Sequence, residues 1–305
     1  MSSGEFLLIG LLDYIYKRIK YNLKNNYDEL SVLILDEIEL ALHPSAQNRL
    51  IAFLNEIANQ YNFCIFFSTH SPQILSKIEP SKIYHLERKC SGCIEVNNPC
   101  YPAYATRVIY EPMGFDLVIT VEDELAKYVI QKVINDNQLN KNKLIKIIPT
   151  GGWEKTLELS DDFIKSVTLG TQCKILTILD GDIKNEFNKK YNGHHYMKLP
   201  HIFLPIPSIE KYLGKNLIES PNDQLIDKIG EQFFQVRRIE DILDDYKENF
   251  AKDSNKKQLF KLLLNCFEDT GGNGEVFKKD ICEIIYQNII NDDNLKKIKS
   301  IISNI

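Results

Sequence analysis

Two apolar segments near the start of the chain end in polar residues suited to phosphate chemistry. Residues 31–35 are followed at once by Asp36 and Glu37, and residues 63–67 are followed closely by His70. Phosphoryl transfer requires mainly positioning and charge stabilisation, so an acid at the carboxyl end of a strand can hold Mg²⁺ while its neighbour orients water. We therefore predict a nucleotide-hydrolysis site on these loops. The alternative is a polar strand end beside an ordinary turn.

Two acidic groups follow apolar segments in the second half of the chain. They are Glu122, Asp123 and Glu124 after residues 117–121, and Asp180 and Asp182 after residues 174–179. Clustered carboxylates repel one another unless a cation is present, and their oxygens are the ligands that Mg²⁺ and Mn²⁺ prefer. We predict a two-metal site here. The alternatives are helix capping for the first group and a simple turn for the second.

These residues must be positioned by strands that alternate with helices. Continuous apolar segments predict strands buried on both faces, and apolar residues at helical spacing separate them. Such alternation predicts a mostly parallel sheet, whose strands bring their carboxyl ends to one edge. The strands are expected at 31–35, 63–67, 117–121, 144–148, 174–179 and 201–206, and the helices between them at 44–61, 125–134 and 153–167. Further helices, expected at 225–234, 239–250, 258–267 and 276–290, would form a helical carboxyl-terminal tail.

Three motifs in the first hundred residues resemble the second half of an ABC-type ATPase head, as found in OLD (overcoming lysogenisation defect) nucleases and SMC-like proteins. Ser2-Ser3-Gly4-Glu5 resembles the signature motif, residues 33–37 resemble Walker B, and Ser68-Thr69-His70 resembles the switch-histidine loop. The resemblance implies that Asp36 binds the Mg²⁺ of ATP, Glu37 is the general base and His70 contacts the γ-phosphate. It also implies that Ser2, Ser3 and Gly4 reach the nucleotide of a partner subunit, and hence a homodimer.

No G-x-x-x-x-G-K-[ST] sequence occurs in the 305 residues, so the loop that would cradle the phosphates is missing. We expect that the chain is an amino-terminally truncated part of a longer ATPase, or that another polypeptide supplies the Walker A lobe. ATP hydrolysis by this chain alone is not expected.

The second half of the chain resembles the Toprim domain, in which a strand and Glu precede a helix and a later strand ends in Asp-x-Asp. Its position after an ABC-type head is similar to the arrangement in OLD-family nucleases. The resemblance implies that Glu122 is a metal ligand and acid or base, that Asp180 and Asp182 bind metal, and that Glu210 completes the second site. The family's acid four residues after the first Glu is here Ala126, and we expect Asp123 and Glu124 to substitute for it. A late lysine of the nuclease site would be Lys278 or Lys279.

The function implied is Mg²⁺- or Mn²⁺-dependent cleavage of DNA phosphodiesters, coupled to an ATPase and used in phage defence. Several basic residues after Asp182 could meet a DNA backbone, or could form a solvated loop: Lys184, Lys189, Lys190, His194, His195 and Lys198. One alternative is a nucleotide-regulated DNA-binding ATPase module with an inactive Toprim site. Another is a different Toprim chemistry, such as strand passage or priming, for which no tyrosine nucleophile domain or polymerising partner is evident.

Composition indicates a globular protein that can bury a sizeable core, with 44% hydrophobic and 26% charged residues. No apolar segment has transmembrane length, so we expect a cytoplasmic protein without a membrane partner. The seven cysteines suggest reduced thiols, and Cys90-x-x-Cys93 is better explained by a hairpin turn than by zinc. The expected domains are an ATPase part at 1–100, a linker at 101–115, a Toprim domain at 116–215 and a helical region at 216–305.

Overall fold

The computed structural model describes residues 3–25, 30–40, 42–90, 92–107, 114–250 and 252–305. The chain divides into two compact units, Met1–Gly114 and Phe115–Ile305. Buried residues form separate hydrophobic clusters in the two units. The domain boundaries expected from the sequence at residues 100, 115 and 215 remain predictions.

The first unit joins a parallel strand pair to an antiparallel hairpin. Its elements are α1 (Ser3–Lys24), β1 (Ser31–Leu35), α2 (Pro44–Gln60), β2 (Phe63–Phe67), α3 (Pro72–Leu75), β3 (His85–Arg88), β4 (Ile94–Asn97) and α4 (Pro102–Thr106). Strand β1 pairs in parallel with β2, with Leu35 opposite Phe67, so both strands end at one edge. Strands β3 and β4 form the expected hairpin, which the bond from the Lys89 N–H to the Cys93 carbonyl closes.

Apolar residues cover one face of the β1–β2 pair. Leu33 lies in a buried cluster with Ile15 of α1 and residues of α2 such as Ile51. On the opposite face, Val32 and Ile34 are 58% and 77% exposed. The prediction that these strands are buried on both faces is therefore wrong for the described part of the chain. A continuous apolar segment predicts that a strand forms, but the burial of each face depends on which helices pack against that strand.

The second unit is built on a four-stranded parallel sheet. Its first elements are β5 (Leu117–Val121), α5 (Glu124–Asp136), β6 (Ile145–Pro149), α6 (Trp153–Ser166), β7 (Lys174–Leu179), α7 (Lys184–Lys190) and β8 (His201–Phe203). The strand order is β6-β5-β7-β8. Val121 lies opposite both Pro149 and Ile178, and Leu179 lies opposite Phe203. The carboxyl ends of all four strands therefore meet at one edge.

The two faces of this sheet bury different layers. Leu117, Ile119 and Val121 of β5 belong to a large cluster that includes α5 and the later helices. On the other face, Thr120 bonds Ser160 of α6 through their hydroxyl groups at 2.7 Å. Such alternation is expected of a strand whose successive side chains point to opposite faces.

Helices complete the second unit and share its main core. They are α8 (Ile209–Gly214), α9 (Asp223–Phe233), α10 (Ile239–Asn249), α11 (Lys257–Asp269), α12 (Gly274–Ile289) and α13 (Asp293–Asn304). Helix α12 packs on α5, and α11 packs on both α8 and α12. The expected fold class, a mixed α/β protein with parallel sheets and a helical carboxyl-terminal tail, is confirmed. Among the described helices, none is both long and apolar enough to cross a bilayer.

Candidate functional site

In the first unit, the loops after β1 and β2 are joined by the hydroxyl of Ser68. Ser68 Oγ donates to Asp36 Oδ1 and accepts from the Glu37 N–H at 2.8 Å. The Ser68 N–H donates to the Leu35 carbonyl at 2.9 Å, which extends the pairing one residue beyond the strands. Glu37 is exposed and has a φ of 47°, a left-handed conformation that non-glycine residues adopt at a cost and that occurs often at functional sites.

Glu39 orders the loop that carries His70. Its carboxylate accepts from Thr69 Oγ1 at 2.7 Å and from the His70 N–H at 2.5 Å, and the His70 residue itself is exposed. Sequence reasoning missed Glu39, although an acid two residues after Glu37 in the same loop was a usable signal. The two loops thus bring Asp36, Glu37 and His70 to one edge of the strand pair.

The expected signature residues fall at the start of the chain. Ser3 and Gly4 begin α1, and Ser2 lies outside the described residues. Their proposed approach to a partner's nucleotide stays a prediction.

In the second unit, acids meet at the carboxyl edge of the parallel sheet. Glu122 follows β5, Asp180 follows β7, and both are buried, with exposed fractions of 9% and 6%. The Asp180 N–H donates to Glu122 Oε1 at 2.8 Å. The N–H groups of Gly151 and Gly152 donate to the Glu122 carbonyl at 2.8 and 3.1 Å, and both glycines have positive φ. The glycine turn therefore fixes the backbone that carries Glu122.

Two further acids complete what we call the acidic edge: Glu122, Asp180, Asp182 and Glu210. Glu210, in the first turn of α8, is buried, and its Oε2 has no hydrogen-bond partner in the described part of the chain. Asp182 forms an ion pair with Lys211, whose Nζ lies 2.5 Å from Asp182 Oδ2. Sequence reasoning did not single out Lys211, although it directly follows Glu210.

Burial disfavours the charged forms of these carboxylates. It is the main cause that raises the pKa of Glu122 and Asp180, and the charges of neighbouring acids raise both further. The pKa of Glu210 is also raised, first by burial, while Lys257 opposes the shift. Protein charges near this edge are mostly negative, so each deprotonation makes the next one less favourable.

The remaining candidate residues have local partners. Asp123 caps α5, since its Oδ1 accepts from the Ala126 N–H at 2.8 Å. Glu124 forms an ion pair with Lys127 at 2.9 Å. Lys278, on α12, forms an ion pair with Glu275 at 2.7 Å. Roles for Asp123, Glu124 and Lys278 in metal binding or catalysis stay predictions. Across the described residues, no three His, Cys, Asp or Glu side chains converge closely enough to hold a metal ion as they stand.

Comparison with known proteins finds a similarity in the first part of the chain. Residues 3–75 match the family model of the AAA ATPase domain. This segment is similar to AAA ATPase domains. Over 90 residues, 28% of its length, the chain is 32% identical to the retron Ec83 probable ATPase of Escherichia coli. Over 86 residues it is 31% identical to the retron Vc95 probable ATPase of Vibrio cholerae serotype O1 biovar El Tor. Each match spans 16% of the relative's own length.

The matched residues 3–75, called the ATPase segment below, include the loops described for the first unit. Asp36, Glu37, Glu39 and His70 all lie within the matched residues 3–75. The acidic edge lies outside the match, so its chemistry must be argued from its own geometry.

Proposed function

We propose that the chain is a metal-dependent DNA endonuclease that acts with an ATPase of the ABC type, as in OLD-family nucleases. One observation carries the proposal: the buried carboxylates of Glu122, Asp180 and Glu210 are gathered where a parallel sheet presents its carboxyl ends. Ligands of open α/β sheets bind at this edge. Buried acids without a compensating cation destabilise a fold, and they are found at functional sites.

The donor set fits Mg²⁺ or Mn²⁺. All the candidate ligands are carboxylates, and Glu210 Oε2 is buried with no partner in the described residues. Glu122, Asp180, Asp182 and Glu210 would hold the metal ions once their side chains have rearranged to converge. Bound there, two such ions supply an activated water and stabilise the leaving oxygen of a phosphodiester.

The protein's own groups have separate roles in this proposal. The Asp180 N–H holds Glu122 through Oε1, and this bond orients the carboxylate. Lys211 brings a positive charge to the rim beside Asp182, where its Nζ can pair with a phosphate oxygen. An open cavity of about 490 Å³ adjoins Asp182 and is lined by Lys184 and Lys297, whose charges suit a nucleic-acid backbone.

For the ATPase segment, we propose that Asp36 and Glu37 bind and use the Mg²⁺ of ATP and that His70 contacts the γ-phosphate. The support is the matched family, the names of the retron relatives and the hydrogen bonds that hold both loops at one edge. Nucleotide binding between two ATPase heads, with Ser2, Ser3 and Gly4 facing the partner's nucleotide, is part of the same proposal. So is a role in phage defence.

Cleavage of supercoiled plasmid tests the nuclease. The purified chain is incubated with Mg²⁺ or Mn²⁺ and no ATP, and wild type is compared with Asp180→Asn. Asp162→Asn, an exposed aspartate on α6, is the matched control. We expect metal-dependent nicking that Asp180→Asn abolishes and Asp162→Asn retains. Nicking that survives in Asp180→Asn would refute the assignment.

The alternative is a nucleotide-regulated DNA-binding module whose acidic edge has lost its chemistry. Two observations favour it: no three ligands converge in the described residues, and Ala126 stands where the family carries an acid. Under this alternative, DNA binds, no metal supports cleavage, and Asp180→Asn leaves DNA affinity unchanged.

A further inference from the structure

A patch of aromatic rings begins at Trp153, directly after the glycine turn that holds the Glu122 backbone, and has no role in the function proposed above. We call it the ring surface, and it consists of Trp153, Tyr191, His194, His195 and Tyr196. We propose that the ring surface binds unpaired bases of single-stranded nucleic acid by stacking. Binding of single strands by the ring surface does not depend on nuclease activity. If the proposed function holds, the ring surface further implies that the nuclease substrate carries an unpaired segment, and this second step rests on the proposed function.

The rings form a continuous chain. The Tyr191 ring lies 5.7 Å from Trp153, 5.3 Å from His194 and 5.0 Å from Tyr196, between centroids. His194 and His195 lie 4.2 Å apart, and both are within 4.7 Å of Tyr196. All six pairs meet edge to face or tilted, so faces of the outer rings are left for other partners.

The ring surface is supported from below and open above. Beneath it, Leu157, Leu179, Phe187 and Leu199 form a buried cluster against which Trp153, Tyr191 and Tyr196 pack. His194 and His195 are exposed. Rings fixed on one side and accessible on the other lose little entropy when a base stacks on them.

Positive charge surrounds the rings. Residues 184–198 contain four lysines and two histidines against one glutamate, although the chain carries a net charge of −5. Lys190 Nζ lies 5.3 Å from the centre of the Trp153 ring and 5.6 Å from that of Tyr191. Lys189 and Lys198 form no ion pair within the described ranges, so their charges remain available to phosphates.

Two acids near the ring surface, Glu154 and Asp161, are paired with cations, whereas Glu158 and Glu186 form no ion pair in the described part of the chain. Glu154 pairs with Lys190, and Asp161 pairs with Lys165 at 2.6 Å and with His195 at 3.0 Å. Each of these pairs reduces the repulsion that its acid would exert on a phosphate backbone. Alternating rings and lysines are the arrangement by which proteins bind single strands without sequence preference.

The chain connects the ring surface to the acidic edge on two sides. Trp153 directly follows Gly151 and Gly152, whose N–H groups donate to the Glu122 carbonyl. Helix α7, which precedes Tyr191, follows Asp182 after one residue. A strand whose bases stack on the rings from Tyr196 to Trp153 would thus lead toward the carboxylates. In a duplex the base faces are covered by neighbouring pairs, so the ring surface favours unpaired bases.

The test uses Trp153, which is the chain's single tryptophan. Oligo(dT) of about 12 nucleotides, within the usual site size of such surfaces, is titrated into the full chain in EDTA. We expect the Trp153 fluorescence to fall on binding, and a duplex of equal length to bind at least about tenfold more weakly. EDTA removes metal, so a failed cleavage assay and a failed binding assay are separate results.

Substitutions at Tyr196 identify the contribution of the ring. Tyr196→Leu should weaken oligo(dT) binding about tenfold, whereas Tyr196→Phe, which keeps the ring, should bind as wild type does. Tyr84→Leu, an exposed tyrosine of the first unit, is the control. His194→Ala, at an exposed position, gives the same test with little risk to folding. Equal affinity for duplex and single strand, unchanged affinity in both Tyr196→Leu and His194→Ala, or no binding would overturn the proposal.

Discussion

Asp180 is a single residue whose charge opposes folding. It is 6% exposed, it lies beside Glu122, and burial is the first cause of its raised pKa. Because the folded state binds the proton more tightly than the unfolded state does, Asp180 favours folding at low pH. That contribution is lost as the pH rises from the ordinary aspartate range near pH 4 toward the raised value.

The first prediction is that Asp180→Asn stabilises the second unit, and that the gain over wild type grows from pH 5 to pH 8. At pH 8 we expect an increase of at least about 3 °C in the unfolding midpoint, since roughly 1 kcal/mol corresponds to 2–4 °C in a domain of this size. Millimolar Mg²⁺ or Mn²⁺ should raise the midpoint of wild type but not that of Asp180→Asn. Calorimetry in EDTA and in metal measures both. An equal metal response in the two proteins would contradict the prediction.

A second prediction concerns Glu39, which accepts hydrogen bonds from Thr69 and the His70 backbone. Glu39→Ala leaves both donors without this acceptor and should cost about 1–2 kcal/mol of stability. The loop at 68–71 should also exchange its amide hydrogens faster, as mass spectrometry can measure. Glu39→Gln keeps an acceptor, so its stability and its exchange rate at 68–71 should lie between those of wild type and Glu39→Ala. Unchanged exchange at 68–71 in Glu39→Ala would show that other contacts order the loop.

Among the elements, the turn after β7 depends on a glycine for close packing. A Cβ on Gly181 would lie 2.6 Å from the carbonyl oxygens of both Leu204 and Ile206. The Gly181 N–H donates to the Ile206 carbonyl at 2.8 Å. The third prediction is that Gly181→Ala separates the segments carrying Asp180 and Glu210. We expect the free energy of unfolding to fall by more than about 1 kcal/mol. We also expect that metal ions no longer raise the unfolding midpoint.

Gly10→Ala is the control for Gly181→Ala, because a Cβ at Gly10 meets no atom within 4 Å. Alanine in the middle of α1 should be neutral or stabilising. If both variants keep the metal response, close packing at Gly181 does not position the acids.

Sequence reasoning succeeded where the signal was local. Strands β5 and β7 have the bounds predicted for them, because each is a mainly apolar segment of strand length with an acidic residue directly after it. Helix α7 was treated only as a basic segment, since its apolar content is small. The short helix α4 lies where a linker at 101–115 was expected. Both helices depend on packing that a single segment does not encode.

In the candidate site too, residues with a local sequence signal were predicted and residues that depend on packing were not. The acids Glu122, Asp180 and Glu210 follow predicted strands, so the parallel sheet explains their meeting at one edge. Lys211 and Glu39 were missed because their partners depend on how loops fold against one another. The exposed face of β1 is a third case, since an apolar sequence does not say which of its faces is covered.

At the scale of the whole molecule, the two units have separate cores. Ile51, 3% exposed, lies in the cluster of the first unit, and Ile281, fully buried, lies in the main cluster of the second. Truncating a buried isoleucine to alanine costs about 2–5 kcal/mol. A domain with its own core unfolds as its own cooperative unit.

The last prediction is therefore that calorimetry resolves two unfolding transitions in the full chain. Ile51→Ala should lower the midpoint of one of them and Ile281→Ala the midpoint of the other. Asp180→Asn and added metal ions should move the same transition that Ile281→Ala moves, because the acidic edge and Ile281 belong to one unit. ATP analogues, if they bind the first unit, should move the transition that Ile51→Ala moves. A single transition that all of these changes shift together would mean that the two units unfold as one, and that a ligand at one site stabilises both.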